Sequence, residues 1–247
     1  MKCLVLAAGY ATRLYPLTEN YPKPLLEVGG KPILNWLLED IGEAAEEFIV
    51  ISNHKFAGCF CRWAEGLPYP VRVLDDGTET NETRLGAVRD IQFAIETVRP
   101  RGDLLVVAGD NLLDFSLRSF LRYARQKQTS CVMRYWEEDP ARLRKAGVAV
   151  VDSEDRILEM EEKPAQPKSH WCTPPFYYYR ASDVRLVKAG IEAGCGVDAP
   201  GSFIAWLSGV TAVHAFQMPG RRYDIGDPAS YEEANKSYAG IPAPEAQ

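Results

Sequence analysis

Histidine is scarce in this chain. The three present, His54, His170 and His214, are scattered, so neither a histidine metal cluster nor a catalytic triad is indicated. Long apolar runs are missing as well; none approaches the ~20 residues of a membrane span. The first residues run straight into a strand-like stretch, which leaves no room for a signal peptide. Six cysteines, at positions 3, 59, 61, 131, 172 and 195, form no C-x-x-C pair and no zinc spacing; they read as reduced thiols of a cytoplasmic protein. Basic blocks are absent too. Lys+Arg 28 against Asp+Glu 34 gives a net charge of −6, which argues against a nucleic-acid partner. No G-x-G-x-x-G follows the opening strand, which argues against a nicotinamide-dependent oxidoreductase, and no G-x-x-x-x-G-K-[ST] occurs, which excludes a P-loop kinase.

What is present is an ordinary globular composition. The 247 residues are 46% hydrophobic and 25% charged, ample for one large core. The first half alternates strand-like runs near 2–7, 47–52, 70–75 and 103–109 with helix-like patterns at 33–46, 54–65, 85–97 and 116–128. That rhythm predicts an α/β fold with a Rossmann-like, mostly parallel sheet flanked by helices. From about 129 the pattern turns β-rich, with short strands at 129–135, 147–151, 156–160 and 174–179 and a hairpin turn at Asp152–Asp155. Helices follow at 182–193, 201–208 and 228–237, with a strand at 210–216 between the last two, and the tail after 238 is expected to fray.

The chemistry is densest in the first 26 residues. A strand-like run, Lys2 to Leu6, opens into Ala7-Ala8-Gly9-Tyr10-Ala11-Thr12-Arg13, and Pro22-Lys23-Pro24-Leu25 follows. Small residues after a buried strand let main-chain N–H groups close on a phosphate. Arg13 and Lys23 add two cations, one a flat fork and one a point charge. Together they suggest a nucleoside triphosphate site. A second strand, Val106 to Ala108, ends in Gly109-Asp110-Asn111, and a carboxylate at such a tip can hold Mg²⁺ or simply cap a turn.

The order L-A-A-G-x-x-T-R, then P-K-P-L, resembles the sugar-1-phosphate nucleotidyltransferases, also called NDP-sugar pyrophosphorylases. The resemblance implies one nucleotidyltransferase domain over residues 1–238, with a nucleotide-binding half to about 128 and a β-rich acceptor-binding half beyond it. It implies that Leu6, Ala7, Ala8, Gly9, Tyr10, Ala11, Thr12 and Arg13 cradle the nucleotide. Catalysis would rest on Arg13, Lys23 and Asp110, and Mg²⁺ on Asp110 and Asp224. The second carboxylate belongs to Tyr223-Asp224-Ile225-Gly226-Asp227-Pro228, which looks like the family's W-x-D-x-G element; Asp227 reads instead as a helix N-cap ahead of Pro228. Gly147, Glu162, Lys163 and Tyr179 would bind the acceptor, Lys163 at its phosphate and Glu162 at sugar hydroxyls.

Several positions depart from the family pattern. Ala11 stands where relatives often carry Gly, at a cost of roughly 1 kcal/mol if that position needs positive φ. Asn81 and Gly86 sit where relatives carry Gln and the Gly of L-G-T-A. An amide offers donor and acceptor together, which favours a pyrimidine base, though 76–81 reads equally as a turn-rich loop. Asp198-Ala199-Pro200-Gly201-Ser202-Phe203 replaces the usual E-[IL]-T-D. The expected reaction joins an NTP to a sugar 1-phosphate and releases pyrophosphate. Two other readings stand beside it: a cytidylyltransferase for a non-sugar phosphate or phosphonate, and a non-catalytic nucleotide or sugar-phosphate sensor. The sequence leaves open whether the chain forms a homo-oligomer.

Overall fold

A computed structural model describes residues 1–242; residues 243–247 of the expected tail lie outside the described residues. The strands are β1 (Lys2–Leu6), β2 (Glu27–Val28), β3 (Lys31–Pro32), β4 (Phe48–Ser52), β5 (Val71–Asp75), β6 (Leu104–Ala108), β7 (Asn111–Leu113), β8 (Ser130–Trp136), β9 (Gly147–Val151), β10 (Ile157–Glu162), β11 (Trp171–Thr173), β12 (Phe176–Tyr179), β13 (Val213–Gln217) and β14 (Arg222–Asp224). The chain divides into two compact units that interleave along the sequence. One comprises residues 1–4, 85–107 and 120–218; the other comprises 5–84, 108–119 and the chain from 219 onward. No helix among the described residues is long and apolar enough to cross a membrane.

In the unit containing residues 5–84, β4 and β5 pair in parallel, in register from Phe48 opposite Val71 to Ser52 opposite Asp75. Every residue of β4 is buried, as a strand covered on both faces requires. The helix Ile33–Ile41 buries Ile33, Leu34, Leu37, Leu38 and Ile41, a single face at helical spacing. The helix His54–Ala64 starts at Asn53, whose side chain accepts the Phe56 N–H. β7 and β14 form a short antiparallel ribbon that pairs Asn111 with Asp224, Leu112 with Tyr223 and Leu113 with Arg222. Leu112 then packs with Leu14, Val28, Ile33, Ile225 and Tyr238, so one apolar cluster anchors both the loop after β1 and this ribbon. Asp227 caps the helix Pro228–Ser237 through a capping box with Ser230, as the sequence indicates.

The other unit is the β-rich part. Its strands follow the order β10-β9-β11-β8-β12-β6, with β13 beside β8. β9–β10, β11–β9, β11–β8, β12–β8 and β12–β6 are antiparallel, and β13–β8 is parallel. The Asp152–Asp155 turn closes β9 onto β10, with Asp155 N–H donating to the Asp152 carbonyl. All four residues of β12 are buried. That strand starts at Phe176, later than the sequence suggests, because Pro174 and Pro175 have no N–H to give a ladder. The helix expected over 182–193 is two short helices, Ala181–Val184 and Val187–Glu192. The helix Gly201–Ser208 buries Phe203, Ile204 and Leu207. The α/β class and the sheet flanked by helices agree with the sequence reading, and the antiparallel pairings gather in its β-rich portion.

Candidate active site

The candidate residues fall into two sets, one in each unit. The first begins where β1 ends. Ala7 N–H donates to the Ile51 carbonyl at 2.9 Å, and Asn53 Nδ2 holds the Ala8 carbonyl at 2.9 Å. Beyond these ties the main-chain N–H groups of Gly9, Tyr10, Ala11 and Thr12 have no partner among the described residues. A Cβ added at Gly9 would meet nothing within 4 Å, so the loop is open on that side. Ala11 lies at φ 48°, ψ 40°, in the left-handed region. The family's usual Gly would occupy that conformation freely, whereas Ala bears its strain. Thr18, fully buried, props this residue by donating to the Ala11 carbonyl at 2.8 Å. Successive unpaired N–H groups around a left-handed residue form a concavity suited to an anion.

Lys23 sits in a 3₁₀ turn between two prolines and is 7% exposed. Its Nζ donates to Asp110 Oδ2 at 2.6 Å. The strand tip reaches it because Gly109 has no side chain. A Cβ there would lie 2.9 Å from Val5 Cγ1 and 3.3 Å from Pro24 Cγ. Pro24 therefore packs beneath the tip that carries Asp110. Asp110 Oδ1 accepts from the Asn111 amide at 2.7 Å, and Arg222 Nη1 donates to Asn111 Oδ1 at 2.6 Å. Arg222 also lies 3.3 Å from Asp224 Oδ2. Lys23, Asp110, Asn111, Arg222 and Asp224 thus form one chain of alternating charge and amide. Burial pushes the Asp110 carboxyl up, but the Lys23 charge, its hydrogen bond and the field of Arg222 outweigh it and hold the group below the usual carboxylate range.

Arg13 is exposed, and a Cβ at Gly226 would lie 3.8 Å from its Nη2. Hydrogen bonds from Ser230, and more weakly the Arg13 charge, hold the Asp227 carboxyl low. Tyr10 is buried and donates to the Thr78 carbonyl at 2.9 Å, fixing the 76–80 loop to the loop after β1. Asn81 follows that loop with its side-chain amide unpaired among the described residues. The amide remains available to a base.

The second set lies in the β-rich unit. Gly147 opens β9, and a Cβ there would lie well inside contact distance of Thr173 Oγ1 and 3.0 Å from Glu162 Oε2. A Cβ at Gly201 would overlap the same Glu162 oxygen. Glu162 and Lys163 line an opening of about 570 Å³ together with Cys195, Asp198, Ser202 and Trp206, a volume within the ordinary range for small-molecule sites. Burial pushes the Glu162 carboxyl up, against the opposing charge of Lys163. Lys163 is exposed at φ 51° and donates its N–H to the Ala146 carbonyl. Tyr179 is fully buried, edge-on to Phe203 at 5.2 Å, and does not line this opening. Gly86 also belongs to this unit. Its φ is +91°, and a Cβ would lie 2.6 Å from the Val197 carbonyl oxygen. The Ala87 and Val88 N–H groups donate to the Asp198 and Val197 carbonyls, so the start of the helix Ala87–Val98 is seated on the segment that replaces E-[IL]-T-D.

Sequence reasoning passed over Asn111 and Arg222 as links between the two acidic residues. It also passed over Gly201 and Thr173 as neighbours of Glu162. Arg222 was legible only as a neighbour of Asp224; the others carry no local signal.

A nucleotidyl transferase family model matches residues 2–240. The chain is 28% identical over 236 residues to the bifunctional protein GlmU of Methanocaldococcus jannaschii, covering 96% of this chain and 54% of that protein. It is 28% identical over 244 residues to the UTP–glucose-1-phosphate uridylyltransferase AglF of Haloferax volcanii, covering 96% of each. A glucose-1-phosphate thymidylyltransferase of Xanthomonas campestris is 31% identical over 194 residues, 74% of this chain and 61% of that protein. The chain therefore spans little more than half the length of some curated relatives and nearly all of others. A solved UDP-glucose pyrophosphorylase complexed with UDP-glucose superposes with a TM-score of 0.81 at 20% identity, covering 96% of this chain and 97% of that one, a likeness of fold. A match running from the first strand to beyond the last helix takes in both sets of residues, and the chain belongs to the nucleotidyl transferase family.

Proposed function

We propose that this chain joins a nucleoside triphosphate to a sugar 1-phosphate. A phosphate oxygen of the acceptor attacks the α-phosphorus of the NTP. The bond from that phosphorus to the bridging oxygen of the β-phosphate breaks, and pyrophosphate leaves with the electron pair. A phosphate monoester is already nucleophilic near neutral pH, so positioning and charge neutralisation supply the catalysis.

The observation that carries this reading is the Lys23–Asp110–Asn111–Arg222–Asp224 chain beside the open loop after β1. Asp224 pairs across the ladder with Asn111, the residue after Asp110, so both carboxylates can offer the oxygen donors that Mg²⁺ prefers, and Asp110 is held below the usual carboxylate range. These two residues would hold Mg²⁺, which when bound neutralises phosphate charge as a Lewis acid. The N–H groups of residues 9–12 take the triphosphate, Arg13 holds the departing pyrophosphate, and Lys23 faces the α-phosphate. Lys163 fixes the acceptor phosphate, and Glu162 receives hydrogen bonds from its hydroxyls. Asn81 reads the base, an amide that favours a pyrimidine. Residues 1–238 act as one functional domain.

The test is pyrophosphate release with Mg²⁺, crossing CTP, UTP, dTTP, GTP and ATP with sugar 1-phosphates, phosphocholine and aminoethylphosphonate. Release with a sugar 1-phosphate supports the reading and names the base. Release only with phosphocholine or the phosphonate replaces it with the non-sugar reading. NTP binding without release from any pair leaves the sensor.

A further inference from the structure

Gly201 is the first residue of its helix, and its φ is not positive. Backbone conformation therefore does not call for glycine, and alanine is the better helix former. The atoms nearest the missing Cβ belong to two side chains: Glu162, whose Oε2 it would overlap, and Tyr177, whose hydroxyl lies at 3.4 Å. The opposite wall is Gly147, a bare strand residue 3.0 Å from the same oxygen by the same measure. One carboxylate oxygen is thus seated between two stripped α-carbons, one on a strand and one on a helix.

The seated group is also unsatisfied. Among the described residues the Glu162 carboxylate accepts no hydrogen bond and makes no ion pair. Beside it, Thr173 Oγ1 is buried, without a partner, and against the same Gly147. Glu162 is half-buried and lines the opening, so its unpaired carboxylate is where a ligand's donors can go, while Thr173 Oγ1 lies unpaired behind it.

We infer that Gly201 is a positioning residue for the acceptor: by lacking a side chain it lets Glu162 lie flat against the pocket wall and present its carboxylate to acceptor hydroxyls. This rests on the proposed sugar-phosphate reading of the site. A methyl at 201 would leave Glu162 in place chemically but turn its carboxylate out of the slot, because the far end of a flexible side chain is what yields. Gly201 and Glu162 therefore act as one unit in acceptor selection.

The experiment is a double-substitution cycle with Gly201→Ala and Glu162→Asp, in the full chain, with glucose 1-phosphate as the acceptor probe or whichever sugar 1-phosphate the release assay supports best. Gly201→Ala is expected to raise the acceptor KM about tenfold or more, leaving kcat and the NTP KM within about threefold. Aspartate is shorter and withdraws from the added methyl, so Glu162→Asp should cost less in the Gly201→Ala background than in the wild type. An unchanged acceptor KM, or effects that simply multiply, overturns the inference. If Gly201→Ala alone fails to fold, Gly201→Ala/Glu162→Ala removes what the methyl meets; folding of the double variant supports the coupling, and its failure overturns it.

A readout independent of turnover separates this inference from the reaction. The carboxyl ¹³C resonance of Glu162 should titrate lower in Gly201→Ala than in the wild type as the group moves into solvent. An unmoved titration overturns the slot. If the titration moves while no sugar 1-phosphate is turned over, the slot stands and the sugar-phosphate reading fails.

Discussion

The two halves of the chemistry are prepared in opposite ways. In one unit the charges around Asp110 are already answered: Lys23 and the Asn111 amide on Asp110, Arg222 on Asn111 and Asp224. In the other, the half-buried carboxylate of Glu162 and the buried hydroxyl of Thr173 are left unanswered beside two glycines. The first arrangement suits a ligand that every member of such a family shares, since the field is fixed before binding and needs little reorganisation. The second suits a ligand that differs between members, because unpaired groups reject any molecule that cannot pair them.

The largest test of that contrast is Asp110→Asn. It removes the central charge of the answered network, and turnover should fall about 10³-fold while NTP affinity changes by less than about tenfold, read by pyrophosphate release and by titration with a non-hydrolysable NTP. Equal activity would take Asp110 out of the proposed metal site. Next comes Lys163→Ala, which should raise the acceptor KM by roughly 10- to 100-fold, the worth of one charge-assisted hydrogen bond, and spare NTP binding. A selective loss of NTP affinity would erase the division between the two sets.

A smaller effect is carried by pH. The Glu162 carboxyl is raised in the folded chain, so it takes up its proton at a higher pH than an ordinary glutamate. Protonation removes acceptor capacity from the group, so acceptor KM should climb as pH falls, starting above the usual carboxylate range. The Asp110 carboxyl is lowered, so it keeps its charge to more acid pH over the same interval. Acceptor and NTP KM that climb together over the same pH interval would break the contrast. Ala11→Gly should be the mildest change: relief of the left-handed strain, offset by chain entropy, keeps the stability gain to about 1 kcal/mol or less in urea unfolding.

Much of this was legible in the chain itself, for local reasons. Asp227 before Pro228 marks a helix start that needs no tertiary help, and the helix falls on Pro228–Ser237 as read. Ala11 was identifiable as a candidate for strain because relatives often carry Gly there, and it does lie in the left-handed region. The ribbon of β7 with β14 was not legible. Each strand is three residues long, too short for a period, and its partner lies 111 residues away, as Asn111 and Arg222 do. Tyr179 was read as acceptor-binding from the family resemblance. Nothing local distinguishes a ring that packs on Phe203 from one that faces a ligand. The glycine walls of Glu162 were hidden for a similar reason: a missing side chain has meaning only once its neighbour is known.

The seat of the helix Ala87–Val98 on the Val197 and Asp198 carbonyls bears on how such enzymes can be re-engineered. Gly86 touches that segment so closely that no other residue fits its backbone and its space together. A graft of residues 195–206 from a relative would arrive without the helix start shaped to receive it. Exchange of acceptor preference between family members should therefore succeed when both stretches are moved as a pair and stall when either is moved alone.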